Sequence, residues 1–165
     1  MRIAVTISLI TLSAVLAGCG KTSGTADQTA APAAPAEAPA PTPEQAKAIV
    51  AALPAPYNTA DLANGKHIFA QCAACHTAEQ GGPNMTGPNL WGVFGRKAGS
   101  HEGFNYSEGL KATGVTWDAA QIDHWITNPR AAVPDTRMSF IGLKDPKDRI
   151  DVIGYLKVKT TPPTP

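Results

Sequence analysis

Cys72-Ala73-Ala74-Cys75-His76 places two thiols three positions apart and an imidazole directly after the second. That spacing suits thioether bonds to both vinyl groups of one porphyrin, with the histidine able to reach the iron. Two other chemistries use a C-x-x-C pair. A thioredoxin-like dithiol needs a βαβ framework, and no strand pattern surrounds Cys72. A zinc site needs a second pair of ligands, whereas His67, His101 and His124 are scattered singly. Covalent haem c is the reading these residues favour.

Iron in a porphyrin has two axial positions, and the second ligand decides the chemistry. A thioether there favours the ferrous state and gives an electron carrier; an open position admits ligands or peroxide. Two methionines lie beyond the N-terminus. Met85 follows His76 by nine residues, in a loop that must pass on the histidine side. Met138 comes 62 residues after His76, beyond two direction-changing segments, in Val133-Pro134-Asp135-Thr136-Arg137-Met138. A lone methionine is ordinarily a gap-filler, but here the iron needs a ligand, and Met138 is the candidate.

The elements that must position these groups read as helices. Asn58 to Gln71 forms a first helix, capped at Asn58 and Thr59 with Leu62, Ile68 and Phe69 apolar, and it delivers the chain to Cys72. A second, capped by Thr116, carries Ile122, Trp125 and Ile126 as a stripe and ends at Asn128-Pro129. A third opens at Asp145-Pro146 and runs through Ile150, Val152, Ile153, Tyr155 and Leu156 toward Thr160. Residues 81–114 show little periodicity. A compact domain rarely holds so long a structureless loop unless something inside organises it, and a haem would supply that missing core. The fold class is all-α.

The 165 residues divide by composition. Residues 1–18 join Arg2 to an apolar run too short to span a bilayer and end in Leu16-Ala17-Gly18 before Cys19, the pattern of an export signal. This segment resembles the bacterial lipobox, which implies acylation of Cys19 and a protein anchored on the periplasmic side of a membrane. Residues 19–56 are rich in Ala, Pro, Thr and Ser and read as a semi-rigid tether, with a short helix allowed between Glu44 and Leu53. Residues 57–160 form one domain and 161–165 a tail. With Cys19 given to lipid and Cys72 and Cys75 to haem, no cysteine remains for a disulfide.

From Gly65 to Lys157 the chain resembles the class I cytochromes c, the mitochondrial and related bacterial electron carriers. The resemblance rests on Gly65-Lys66-His67-Ile68-Phe69, Cys72 to Thr77, Thr86-Gly87-Pro88-Asn89-Leu90, Gly95-Arg96-Lys97, Thr116-Trp117, Asn128-Pro129, Pro134 to Met138 and Gly154-Tyr155-Leu156. It implies that the Pro88 carbonyl accepts the proton of His76, that Arg96, Tyr106 and Trp117 surround the haem propionates, and that Thr136 and Phe140 flank Met138 in the binding site. A charged fork and two amphipathic rings are also what buried carboxylates require. Gly65 and Tyr155 match the family's crossing of first and last helices. The chain departs at Ala132 and Leu110, where mitochondrial members carry tyrosine and asparagine, so fewer polar groups surround Met138.

Between Tyr57 and Thr161 there are 11 Lys and Arg against 10 Asp and Glu, too even a balance for long-range steering and no footprint for nucleic acid. The expected role is a monomeric, membrane-tethered one-electron carrier, with no enzyme activity, between a quinol-oxidising complex and a terminal oxidase. A haem peroxidase or gas sensor with a labile Met138 is the alternative, and an electron-entry module for one periplasmic dehydrogenase is a third reading.

Overall fold

A computed structural model describes residues 40–162. The signal segment, Cys19 and the first part of the tether lie outside the described residues. Six helices are present among those described: α1 Pro43–Ala51, α2 Leu62–Ala73, α3 Glu108–Ala112, α4 Ala119–Thr127, α5 Pro129–Ala132 and α6 Pro146–Lys159, with a 3-10 turn at Tyr57–Thr59. One isolated antiparallel bridge joins Lys97 and Thr116, and no strand occurs among the described residues, as an all-α fold requires.

The frame is the crossing of α2 and α6. Asp61 caps α2, its Oδ1 accepting from Ala63 N at 2.8 Å and Asn64 N at 3.2 Å. The sequence expectation of a helix starting at Asn58 is corrected here. Residues 57–59 turn as a 3-10 segment, and Ala60 is extended at φ −60°, ψ 132°, so helical hydrogen bonding restarts only after Asp61. Asp145 caps α6 by accepting from Lys147 N at 2.8 Å, with Pro146 in the first turn where its missing N–H costs nothing.

At the crossing, a Cβ on Gly65 would collide with the Asp151 carbonyl oxygen and stand 2.8 Å from Tyr155 Cβ. The absent side chain lets the backbones approach, and the Phe69 and Tyr155 rings meet at a tilt of 51° beside the contact, with centroids 5.4 Å apart. Asp151, wholly buried, is held there by Asp61 N at 2.9 Å, Asn64 Nδ2 at 2.8 Å and Lys147 Nζ at 2.7 Å. Gly65→Ala is therefore expected to cost about 1–3 kcal/mol through overpacking. That would appear as a fall in Tm of roughly 4–8 °C per kcal/mol with the absorption spectrum of the bound haem unchanged.

α4 is capped by Asp118, whose Oδ1 accepts from Gln121 N at 2.7 Å. Thr116, the cap expected from sequence, instead occupies the bridge to Lys97. Asn128 ends α4 and at once caps α5, accepting from Ala131 N at 3.2 Å. Within the segment that looked structureless, Ser107 caps the short α3 through Leu110 N at 3.3 Å.

α1 forms where a short helix was allowed. Thr42 and Gln45 make a reciprocal capping box, and Ala46, Val50 and Leu53 are buried as α1 packs on α6 and the 3-10 turn. Among the described residues, packing thus extends to α1, ahead of residue 57. Tyr57 completes this side: its hydroxyl donates to Asp123 Oδ2 at 2.9 Å, and burial, reinforced by that carboxylate, pushes its ionisation up to about 12. Asp123 also pairs with Arg149.

Candidate functional site

Helices α2, α4 and α6 pack into one apolar cluster with part of its surface left uncovered. They enclose a cavity of about 330 Å³, within the range of small-molecule and cofactor sites. Phe69, Ile122, Val152, Ile153 and Leu156 come to it from these helices, and Leu90, Val93 and Leu143 from loops. All ten residues named from sequence line this one space: Cys72, Cys75, His76, Pro88, Arg96, Tyr106, Trp117, Thr136, Met138 and Phe140. Met85 does not line it and is 48 % exposed, as its place on the histidine-side loop suggested.

Helix α2 delivers the thiols. It runs to Ala73, and the N–H groups of Cys75 and His76 both donate back to Cys72 O, at 3.0 and 2.9 Å, so the motif closes as a tight turn at the helix end. No disulfide joins Cys72 and Cys75. Burial pushes the Cys72 thiol up to about 11, the reverse of the depressed value that makes a dithiol redox pair reactive. No group of three or more His, Cys, Asp or Glu able to hold a metal ion occurs among the described residues. The dithiol and zinc alternatives thus lack support, whereas two thiols opening on a large apolar cavity fit a porphyrin.

His76 is oriented by the loop that follows the motif. Its Nδ1–H donates to Pro88 O at 2.7 Å, which fixes the tautomer and leaves Nε2 with its lone pair free. Burial holds the imidazole below the usual histidine range, against the opposing effect of the Pro88 bond, so it is neutral near pH 7 and competent as a ligand. Gly87 closes the loop over the ring: a Cβ there would collide with the imidazole, and Gly87 N donates to Cys75 O at 2.8 Å. The loop is clamped by buried Asn89, whose Nδ2 donates to Thr77 Oγ1 at 2.7 Å and Glu79 O at 2.9 Å. Gly87 was part of a recognised stretch, but nothing in its spacing shows contact with His76.

A second group of donors gathers around Arg96. The bridge ties its segment to Trp117, with Trp117 N donating to Arg96 O at 2.9 Å and Gly95 N to Trp117 O at 2.7 Å. The guanidinium donates to Trp91 O at 3.1 Å and Asn89 O at 3.0 Å. Tyr106 packs edge-on to Phe104 with centroids 4.9 Å apart, and Trp117 lies 5.8 Å from Trp125. Trp125 and Phe104, which sequence reasoning had not assigned to the site, also line the cavity.

Met138 enters from the loop after α5. Its N–H donates to the buried Thr136 Oγ1 at 3.2 Å, and Thr136 N donates to Val133 O at 3.0 Å. Asp135 anchors this loop to α3 by accepting from Gly109 N at 2.9 Å. Leu110 is buried on the cavity wall in a cluster with Ala98 and Val133, so the departure noted at this position puts an apolar side chain there.

A family model described as Cytochrome c matches residues 62–159. The chain is 46 % identical over 100 residues to cytochrome c2 of Rhodomicrobium vannielii, covering 61 % of this chain and 80 % of that one. To cytochrome c of Chlamydomonas reinhardtii it is 46 % identical over 101 residues, 61 % and 90 % of the two chains. To cytochrome c2 of Blastochloris viridis it is 41 % identical over 109 residues, 66 % and 86 %.

Proposed function

Since the chain belongs to the cytochrome c family and binds one covalent haem c, we propose that it is a membrane-tethered one-electron carrier between a quinol-oxidising complex and a terminal oxidase. In this reading His76 and Met138 would ligate the iron, and Cys72 and Cys75 would form the thioethers. One observation carries it: a single apolar cavity receives both an imidazole with its tautomer already fixed and a thioether. The chain would then supply both ligands to the iron from its own side chains.

The bound haem supplies the one-electron couple. The protein's own groups keep reorganisation small. Pro88 O holds the His76 ring through Nδ1, and Gly87 packs against its face. Thr136 fixes the backbone of Met138. Arg96, Tyr106 and Trp117 offer donors to carboxylates, while the aliphatic walls exclude water and so favour the less charged, reduced state.

The tether reading rests on Cys19 and on composition. No helix of the described residues is long and apolar enough to cross a membrane. With α1 packed on the domain, residues 20–41 would remain as linker, about 70 Å if extended at ~3.1 Å per residue. A carrier held near its partners meets them at high effective concentration, which compensates for a nearly neutral surface. Cys19→Ser is expected to move the protein from the membrane to the soluble fraction with haem content and potential unchanged, because a single hydrocarbon chain already anchors only marginally and none remains. Membrane retention of that variant would contradict the lipid anchor and leave the haem assignment standing.

A further inference from the structure

Behind Arg96, and outside the cavity lining, sits His101. Its Nδ1 lies 2.9 Å from Arg96 Nη1. A guanidinium has no lone pair to offer and stays protonated, so it can only donate. His101 Nδ1 is therefore the acceptor, and the ring is neutral with its proton on Nε2. Asn89 O, Trp91 O and His101 Nδ1 together grip the guanidinium on the loop that also carries Pro88, the partner of His76. The charged and titratable groups facing His101 are Arg96, Glu102 and, across the His101 backbone, Tyr106. Partial burial first, and then the Arg96 charge, hold His101 below the usual histidine range, with Glu102 opposing them. The other two histidines outside the site, His67 and His124, are exposed.

We propose that His101 is a positioning residue for Arg96 and that its protonation couples the reduction potential of the bound haem to pH. The inference rests on the reading that Arg96 stands beside the haem carboxylates. Protonating Nδ1 removes the acceptor, breaks the bond to Arg96 and adds a positive charge next to the cavity. Positive charge favours the state holding one more electron. The potential is therefore higher when His101 is protonated and falls as pH rises through its ionisation. By reciprocity, reduction tightens proton binding at His101. Between the His101 ionisations of the oxidised and reduced states the carrier accepts an electron from an external one-electron donor and a fraction of a proton from solvent, the proton residing on Nδ1.

Spectroelectrochemical titration of the holoprotein across the histidine range, and below it, tests this wherever the iron–sulfur absorption is constant. The wild type is expected to show a potential that declines with pH between two His101 ionisations, lower in the oxidised and higher in the reduced state, and is flat outside them. His101→Gln can still accept from Arg96 but cannot titrate, and should hold the wild type's high-pH potential throughout. Proton NMR of the His101 ring should give the same two midpoints. A flat wild-type profile, or an unchanged slope in His101→Gln, would overturn the proposal. Failure of the ligand assignment would instead show in the absorption spectrum of Met138→Ala, a variant this titration does not use.

Discussion

Met138→Ala is expected to lower the reduction potential by a substantial part of the roughly 0.8 V over which axial ligands tune haems, and to let the reduced protein bind carbon monoxide at neutral pH. Loss of the thioether removes the ligand that favours ferrous iron and opens a coordination position. The other methionine among the described residues, Met85, cannot replace it, because it is exposed and lies outside the cavity. The effect should be electronic more than structural. The loop's backbone is held by Thr136 and Asp135, which the substitution leaves in place, so helix content should be retained. An unchanged potential in this variant would transfer the ligand role elsewhere and revive the peroxidase or sensor alternative.

Cys72→Ser with Cys75→Ser is expected to yield a chain without covalent haem that does not hold its fold. The cavity is about 330 Å³. At ~24 cal/mol per Å³ of empty volume, leaving it vacant costs ~8 kcal/mol, comparable with the roughly 5–15 kcal/mol that stabilises a typical domain. Far-UV circular dichroism of the double variant should show most helix signal lost, and hydrogen exchange should lose its slow amides. A cooperative melt near the wild-type temperature would show that the helices can collapse into the space, and that the haem is a passenger in an otherwise complete core.

The chemistry was legible because it is written locally. Cys72 to His76 is a contiguous pentapeptide closed by the end of one helix, and the two residues expected to flank Met138, Thr136 and Phe140, lie within two positions of it. Helix ends were less legible. Asn58, Thr59 and Asp61 can all cap, and the choice of Asp61 depends on Ala60 being extended and on Asp61 N donating to Asp151, ninety residues away. Thr116 was a plausible cap for α4 until the bridge to Lys97 claimed it. Helix α3, five residues long, has no measurable period and announces itself only through Ser107. The buried face of α1 carries small and aliphatic residues that look like tether composition, and its packing on α6 is a tertiary fact. The contact of Gly87 with His76 and the grip of His101 on Arg96 are equally non-local, since spacing says that a loop passes nearby and not which atoms meet.

The central claim is that one haem, ligated by His76 and Met138, exchanges single electrons. Its most direct test is proton NMR of the reduced holoprotein with methionine methyl groups labelled. Met138 bound to iron places its methyl over the porphyrin face, where ring current must shift that signal far upfield, leaving the methyl of Met85 in the ordinary range. The account predicts one strongly shifted methyl that disappears in Met138→Ala. All methionine methyls at ordinary positions in a fully reduced, haem-loaded protein would contradict it.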